Sequence, residues 1–347
     1  MDWKKHITQD STVIKDALQA LDNLGQDTVL FIVNNQNGLV GALTDGDIRR
    51  GLLKGIKLDD PVLNACNPNP KFIREYDISK LTSYRKEKLK MIPVVDKDSR
   101  IIDIVNFRIA KTKLPVDVVI MAGGKGRRLQ PLTMNTPKPL LNVGSKPIIE
   151  HLIDQLAYYG ISDIKLSIQY LGEQLEEFAK KKSNATLKIS STWDKDELGT
   201  IGSLKLIKEL KQDYVLVCNS DLLTNVDYER FFFDFIDHDA DLNVLSVPYT
   251  VNIPYAVLKM EENNVVDLKE KPSYTYYSNG GIYLMKREIL KFIPDSVKYS
   301  ATDLIEKLIQ LNKNVRNFQH EGYWLDIGRI DDYNKANRDI ASGKIKR

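Results

Sequence analysis

The chain is 347 residues long and carries 50 Lys and Arg against 47 Asp and Glu, a formal net charge of +3. The length favours two domains over one core, and the near balance of charge excludes a nucleic-acid-coating protein whose affinity rests on a broad basic face. Cys66 and Cys218 are the only cysteines, too few and too far apart for a disulfide framework or a thiolate metal site. No apolar run approaches the roughly 18 residues of a membrane span and the N-terminus has no apolar signal core, so a cytoplasmic protein with no membrane and no nucleic-acid partner is expected.

From the amino end, Val13, Ala17, Leu18, Leu21 and Leu24 predict a helix over residues 13–24. Two β-rich runs, 29–34 and 39–44, flank a polar turn at 35–38 and lead into a helix over 47–53. The hairpin pattern returns at 91–96 and 101–106 around a turn at 97–100. A repeat of about sixty residues built this way resembles a tandem pair of CBS modules, a smaller α+β domain. Gly41, Thr44 and Asp47 stand at the G-x-x-T-x-x-D of that family's nucleotide motif. The resemblance implies that Thr44 meets phosphate and Asp47 ribose hydroxyls of an adenine or guanine nucleotide. Asp47 reads equally well as a capping or first-turn acid of the following helix. In the second copy Asn106 and Ile109 occupy the two positions, so at most one copy binds.

Residues 107–115 lose periodicity, carry three basic residues and end at Pro115, which divides the chain into domains 1–113 and 116–347. Beyond the boundary, strands at 116–121, 164–169 and 214–218 alternate with helices at 148–159, 171–181 and 202–210. Such alternation predicts a Rossmann-like α/β domain, its sheet mixed but mainly parallel and covered on both faces. Ligands belong at the carboxyl ends of its strands.

The first of these strands runs into Ala122-Gly123-Gly124-Lys125-Gly126-Arg127-Arg128-Leu129-Gln130-Pro131-Leu132-Thr133, with Pro137-Lys138-Pro139 close behind. The glycines let backbone N–H groups approach phosphate. Arg128 adds a guanidinium fork and Lys138 a point charge. A dinucleotide fingerprint would need glycine at Leu129, and a P-loop would need Gly-Lys-Ser/Thr, so neither fits. The stretch closely resembles the A-G-G-x-G-T-R-L-x-P-L-T and P-K-P signature of sugar-1-phosphate nucleotidyltransferases, with Arg127 in place of the threonine. That resemblance implies nucleotide contacts from Ala122, Gly123, Gly124 and Gly126 and catalytic roles for Arg128 and Lys138.

Later segments extend the resemblance in the same order. Asn219-Ser220-Asp221 and Trp324-Leu325-Asp326-Ile327-Gly328 match the family's metal elements, implying Asp221 and Asp326 as Mg²⁺ ligands. Two carboxylates suffice, because Mg²⁺ fills its other positions with water and phosphate oxygens. Leu198-Gly199-Thr200-Ile201-Gly202 resembles the loop beside the base, adding Gly199 and Thr200 to the nucleotide contacts. Glu270-Lys271-Pro272 and Asn279-Gly280-Gly281-Ile282-Tyr283 resemble the sugar-phosphate side, which implies Glu270, Lys271, Asn279 and Gly280 there and a catalytic role for Lys271. Ala256 stands where many relatives place a glycine next to the sugar.

The implied reaction takes an NTP and a sugar 1-phosphate to NDP-sugar and pyrophosphate. A sugar phosphate is a dianion at neutral pH and attacks the α-phosphorus in line, so no general base is required. His6, His151, His238 and His320 share no ligand spacing. The CBS pair ahead of such a domain resembles glucosamine-1-phosphate guanylyltransferases of legionaminic acid or surface-glycan synthesis, implying GTP. Asp194, Asp196 and Glu197 near the base loop suit guanine. Uridylyl, cytidylyl or thymidylyl transfer and a catalytically inactive nucleotide-binding homologue stay open as alternatives, and a homo-oligomer is expected.

Overall fold

The computed structural model describes residues 2–74, 77–194 and 196–345. The chain divides into two compact units: Met1–Pro115 with Leu156–Ser162 and Asn184–Lys188, and Val116–Gln155 with Asp163–Ser183 and Ile189–Arg347. The first takes in two short segments beyond the boundary read from the sequence. Part of the reason is local hydrogen bonding: Lys111 N–H donates to Tyr158 O at 2.6 Å and Leu114 N–H to Tyr159 O at 3.2 Å.

In the first unit, β1 (Ile7–Gln9), α1 (Ile14–Asn23), β2 (Val29–Val33), β3 (Leu39–Thr44) and α2 (Asp45–Leu53) precede β4 (Ile73–Arg74), α3 (Ile78–Lys86), β5 (Met91–Val95) and β6 (Ile101–Asn106). The repeat is visible in the pairing. β2 lies parallel to β1 and antiparallel to β3, and β5 likewise lies parallel to β4 and antiparallel to β6. Both hairpins shift register at the same place, between Ile32 and Val33 and between Val94 and Val95. Ile14, Ala17 and Leu21 of α1 pack with Leu30, Ile32, Leu43 and Ile48; burying each of the larger side chains stabilises the fold by about 1.5–3 kcal/mol.

The second unit opens with β7 (Val116–Ala122), the short hairpin β8 (Asn142–Val143) and β9 (Lys146–Pro147), α4 (Ile148–Tyr158), β10 (Asp163–Ile168), α5 (Gly172–Lys182), β11 (Lys188–Trp193) and α6 (Gly199–Gly202). It continues through β12 (Tyr214–Asn219), β13 (Leu222–Thr224), α7 (Tyr228–Asp237), β14 (Leu242–Asn252), β15 (Val257–Glu261), β16 (Asn264–Lys269) and β17 (Ser273–Lys286). α8 (Ala301–Gln310), β18 (Val315–Gln319), β19 (Trp324–Asp326) and α9 (Ile330–Ala341) complete it. Seven strands form one sheet in the order β11-β10-β7-β12-β17-β14-β18. β10, β7 and β12 are parallel, and so are β14 and β18, while β17 runs antiparallel between β12 and β14. Val118, Val119 and Ile120 of β7 are all fully buried, as a strand covered on both faces requires.

The helix read over 202–210 is not there. Only α6 and a 3-10 turn at Ser203–Leu206 form, and Ile207 is already extended. The N–H groups of Ile201 and Gly202 both donate to Tyr299 O, which ties the amino end of this segment to the loop before α8.

Candidate active site

Because β7 and β12 are parallel neighbours, the segments leaving their carboxyl ends emerge side by side. The glycine loop follows β7 and Asp221 follows β12. At this edge lies a cleft of about 530 Å³ whose wall includes Gly123, Gly124, Gly126, Arg128, Lys138, Gly199, Thr200 and Asp221. Ala122 is buried at the end of β7.

Gly126 has φ +59, and a Cβ there would lie 3.0 Å from Thr133 Cγ2 and 3.1 Å from Lys138 Cβ. The loop is therefore packed against the P-K-P segment. Thr133 Oγ1 closes it by donating to Gly126 O at 2.9 Å. In the 3-10 turn Arg127–Leu129 that follows, Leu129 is fully buried with Val143, Leu325 and Ile327. That anchor leaves Arg127 and Arg128 exposed. Arg128 also approaches the W-L-D-I-G segment, for a Cβ on Gly328 would sit 3.0 Å from its Nη2.

Lys138 is 9% exposed. It forms an ion pair with Asp221 and lies 3.7 Å from Asp326. β13 pairs antiparallel with β19 so that Leu222 faces Asp326, and Ile327 N–H donates to Asp221 O at 3.0 Å. Two acids 105 positions apart in the sequence thus share one lysine, 221 against 326. Oδ1 of Asp221 and Oδ1 of Asp326 are both buried without a hydrogen-bond partner. Burial first, then the Asp221 charge, holds the Asp326 carboxyl above the usual carboxylate range, with Lys138 and Arg128 pulling the other way. Two crowded carboxylates with unused lone pairs are a donor set for a hard cation. No cluster of three or more His, Cys, Asp or Glu ligands occurs among the described residues.

On the opposite wall, Glu197 adopts φ +53 and pairs with Lys125 of the glycine loop at 2.5 Å. Hydrogen bonds from Lys125 and then Gln169 hold its carboxyl below its ordinary range. Asp194 is buried and accepts Leu198 N–H at 2.9 Å and Asp196 N–H at 3.2 Å. Gly199 has φ +80, and a Cβ there would come within 3.0 Å of Tyr299 O. Lys125, Gln169, Ser167, Ser203, Asn219 and Lys298 also line the cleft, and the sequence did not single them out. Lys298 had no local signal, since it belongs to the loop preceding the Ser300 cap of α8.

Among the residues assigned to the sugar side, Glu270 and Lys271 are exposed between β16 and β17, and none of Glu270, Lys271, Asn279 and Gly280 is among the residues lining this cleft. Asn279 Oδ1 accepts Gly281 N–H at 3.0 Å, and Trp324 Nε1 donates to Gly280 O at 2.9 Å. These bonds shape β17 where it passes the cleft.

In the first unit, a cavity of about 600 Å³ is lined by Thr44, Asp45, Gly46, Lys71, Lys88 and Lys90 among others, but not by Gly41 or Asp47. The Asp47 carboxylate accepts Thr44 N–H at 2.9 Å, Thr44 Oγ1–H at 2.6 Å and Arg50 Nη2–H at 2.6 Å. It completes the capping box of α2. A Cβ on Gly41 would lie 2.9 Å from Cys66 Sγ, so packing alone accounts for that glycine.

A family model described as nucleotidyl transferase matches residues 117–343. The chain belongs to that family. Among nucleotidyl transferases, it is 32% identical over 231 residues to "Bifunctional protein GlmU" of Methanocaldococcus jannaschii, covering 64% of this chain and 54% of that protein. It therefore spans about half the length of that relative. It is 28% identical over 228 residues to the D-glycero-alpha-D-manno-heptose 1-phosphate guanylyltransferase of Aneurinibacillus thermoaerophilus, covering 65% and 98% of the two chains. The crystal structure of HddC from Yersinia pseudotuberculosis superposes with a TM-score of 0.51 at 27% identity, covering 65% of this chain and 99% of that one. No helix among the described residues is long and apolar enough to cross a membrane.

Proposed function

We propose that the chain transfers a nucleotidyl group from an NTP to a sugar 1-phosphate and releases pyrophosphate. The observation that carries this reading is the cluster of Lys138, Asp221 and Asp326 beside the glycine loop, with two buried carboxylate oxygens that accept no hydrogen bond. Asp221 and Asp326 would hold Mg²⁺, which when bound neutralises charge on phosphate oxygens and on the leaving pyrophosphate. Backbone N–H groups of the glycine loop and Arg128 orient the triphosphate. Lys138 stabilises the charge that builds at the transferred phosphorus. Lys271 and Glu270 meet the sugar phosphate and sugar hydroxyls.

For the base we favour guanine. Glu197 is an ionised acceptor on the cleft wall, suited to the N1–H and N2–H₂ donors of guanine. One relative is named as a heptose 1-phosphate guanylyltransferase, and HddC was also crystallised with GMP-PN. For the acceptor we favour a hexosamine 1-phosphate of nonulosonic acid or surface-glycan synthesis, on the resemblance of the whole domain order. Five NTPs assayed against a panel of sugar 1-phosphates, with and without Mg²⁺, test all three parts through pyrophosphate release. Release without any sugar phosphate, or none with any pair, would sink the reading.

For the first unit we propose, from its likeness to a CBS pair, an adenine or guanine nucleotide in the 600 Å³ cavity, whose lysines suit phosphate. A ribose contact from Asp47 would require the α2 cap to open. Calorimetric titration of ATP, AMP and GTP into the full chain, paired with activity in the presence of each, is the check. A silent titration with unchanged activity removes the effector.

A further inference from the structure

The Lys125–Glu197 pair bridges two walls of the cleft. Lys125 belongs to the glycine loop and Glu197 to the segment before α6, and both line the cavity. Lys125 Nζ lies 2.5 Å from Glu197 Oε1, with the side chains 41% and 55% exposed.

The two ends of this pair are held differently. On the Glu197 side the backbone is fixed. Buried Asp194 accepts the N–H groups of Asp196 and Leu198, Tyr299 N–H donates to Leu198 O at 2.8 Å, and Tyr299 O accepts from Ile201 and Gly202. These bonds flank Glu197 and hold it at φ +53, a left-handed conformation that persists only where the surroundings over-determine it. Gln169 also hydrogen-bonds the Glu197 carboxylate, and its own Cβ is fixed beside the loop, 3.2 Å from where a Cβ on Gly123 would stand. On the other side, Lys125 follows Gly124, where an added Cβ would meet nothing within 4 Å, and its ammonium rides on a flexible four-carbon stem. The carboxylate is a fixed acceptor and the ammonium a movable donor.

An ion pair this exposed is weak, because water screens it and two long side chains must be ordered to make it. Either partner gives it up for a stronger one. A triphosphate is a stronger partner for Lys125, since it carries several charges and lies against the loop from which that lysine springs. Guanine is a stronger partner for Glu197, since N1–H and N2–H₂ meet both carboxylate oxygens at once. Adenine presents a lone pair at N1 where guanine has its N–H. An uncovered carboxylate facing that lone pair would be repelled, so with ATP the lysine stays on Glu197 and is withheld from the phosphates.

We propose that Lys125 determines base specificity by changing partners: in the free chain it covers the Glu197 carboxylate, a 2-amino-6-oxopurine displaces it onto the triphosphate, and a base without paired donors leaves it in place. This rests on the reading of Glu197 as the guanine acceptor and adds to it a link between base and phosphate affinity through one lysine.

The test is calorimetric titration of GTP, ITP and ATP into the full-length chain, with Mg²⁺ and no sugar phosphate, for wild type, Glu197→Ala, Lys125→Met and the double variant. Both side chains are well exposed, so all four proteins should share one melting temperature. A nucleotide site in the first unit, untouched by either substitution, contributes equally to every arm. Glu197→Ala should weaken GTP at least about tenfold, the loss of a bidentate charged acceptor. The same variant should bind ATP about fivefold more tightly than wild type does, because the freed lysine then meets the phosphates, and an exposed charge pair is worth up to about that factor. The ATP gain should vanish in the double variant. Lys125→Met alone should weaken GTP by about the same fivefold factor and give no gain with ATP. ITP, which keeps N1–H and lacks the 2-amino group, should fall between GTP and ATP in wild type. An ATP gain that survives in the double variant would reflect general relief of negative charge and would overturn the exchange of partners, as would an ATP affinity that Glu197→Ala leaves unchanged. If wild type binds GTP no better than ATP, the guanine reading fails by itself; the covering of Glu197 by Lys125 is still decided by whether the ATP gain depends on the lysine.

Discussion

Replacing Lys138 with Met should make the stability of the second unit depend on divalent metal. Lys138 is the cation between Asp221 and Asp326, whose side chains are 21% and 45% exposed. Breaking a fully buried ion pair costs about 3–5 kcal/mol, and the partial exposure of both acids reduces this to about 1–2 kcal/mol. For a unit of this size each kcal/mol is worth about 2–4 °C, so the variant in EDTA should melt about 2–8 °C below wild type. Mg²⁺ at a hundred times its dissociation constant returns about 2.7 kcal/mol. Wild type should gain less, since Lys138 already neutralises the same oxygens. Burial and Asp221 hold the Asp326 carboxyl above its ordinary range. Its protonation therefore favours the fold, and stability falls as pH rises from the unfolded carboxylate pKa through the higher folded one. The variant's deficit in EDTA should accordingly shrink as the pH is lowered toward the carboxylate range. Differential scanning calorimetry with EDTA, Mg²⁺ and a sodium control of equal ionic strength measures all of this. Equal Mg²⁺ gains in variant and wild type would show that the two carboxylates are not a metal site.

Other expectations concern the glycine loop and the thiols. Arg128→Ala should lower kcat about 10²–10³-fold, the usual cost of removing one preorganised charge stabiliser, while Arg127→Thr should be mild; steady-state kinetics in which Arg127 proves the more damaging loss would shift the loop assignment by one residue. Gly126→Ala should destabilise by about 1–2 kcal/mol, because its φ of +59 is the left-handed region and its Cβ would press on Thr133 and Lys138; an unchanged urea midpoint would contradict the packing described. Cys218 is fully buried and its thiol is pushed up to about 12, so iodoacetamide at pH 8 should label it only in urea; peptide mapping that finds it alkylated in the native protein would contradict its burial.

Much of the α/β architecture was legible in the sequence, because each cue for it is local. Apolar runs such as 116–121 and 214–218 are strands wherever they fold, and a parallel sheet puts the segments that follow them at one edge. The glycine loop, Asp221 and the W-L-D-I-G segment could be singled out because each carries its chemistry within a few consecutive residues. Asp47 was ambiguous for the same reason. Thr44 and Asp47 are three apart, which suits a capping box as well as a ligand motif, and the structure spends the carboxylate on the cap. What only the tertiary structure decided are relations across long separations. Lys138 meets Asp221 across 83 positions and Lys125 meets Glu197 across 72. The helix expected at 202–210 stops at Leu206, where Ile207 turns extended and is buried in the core with Val215, Val217 and Leu304 from distant parts of the chain. The E-K-P segment matches a sugar-binding pattern residue by residue, but its place between β16 and the long β17 is set by the pairing of β14 with β17, from Asn252 opposite Ser273 onward. A short sequence specifies which groups are present; their distance from one another is set by strand order and register, which depend on burying the whole sheet at once.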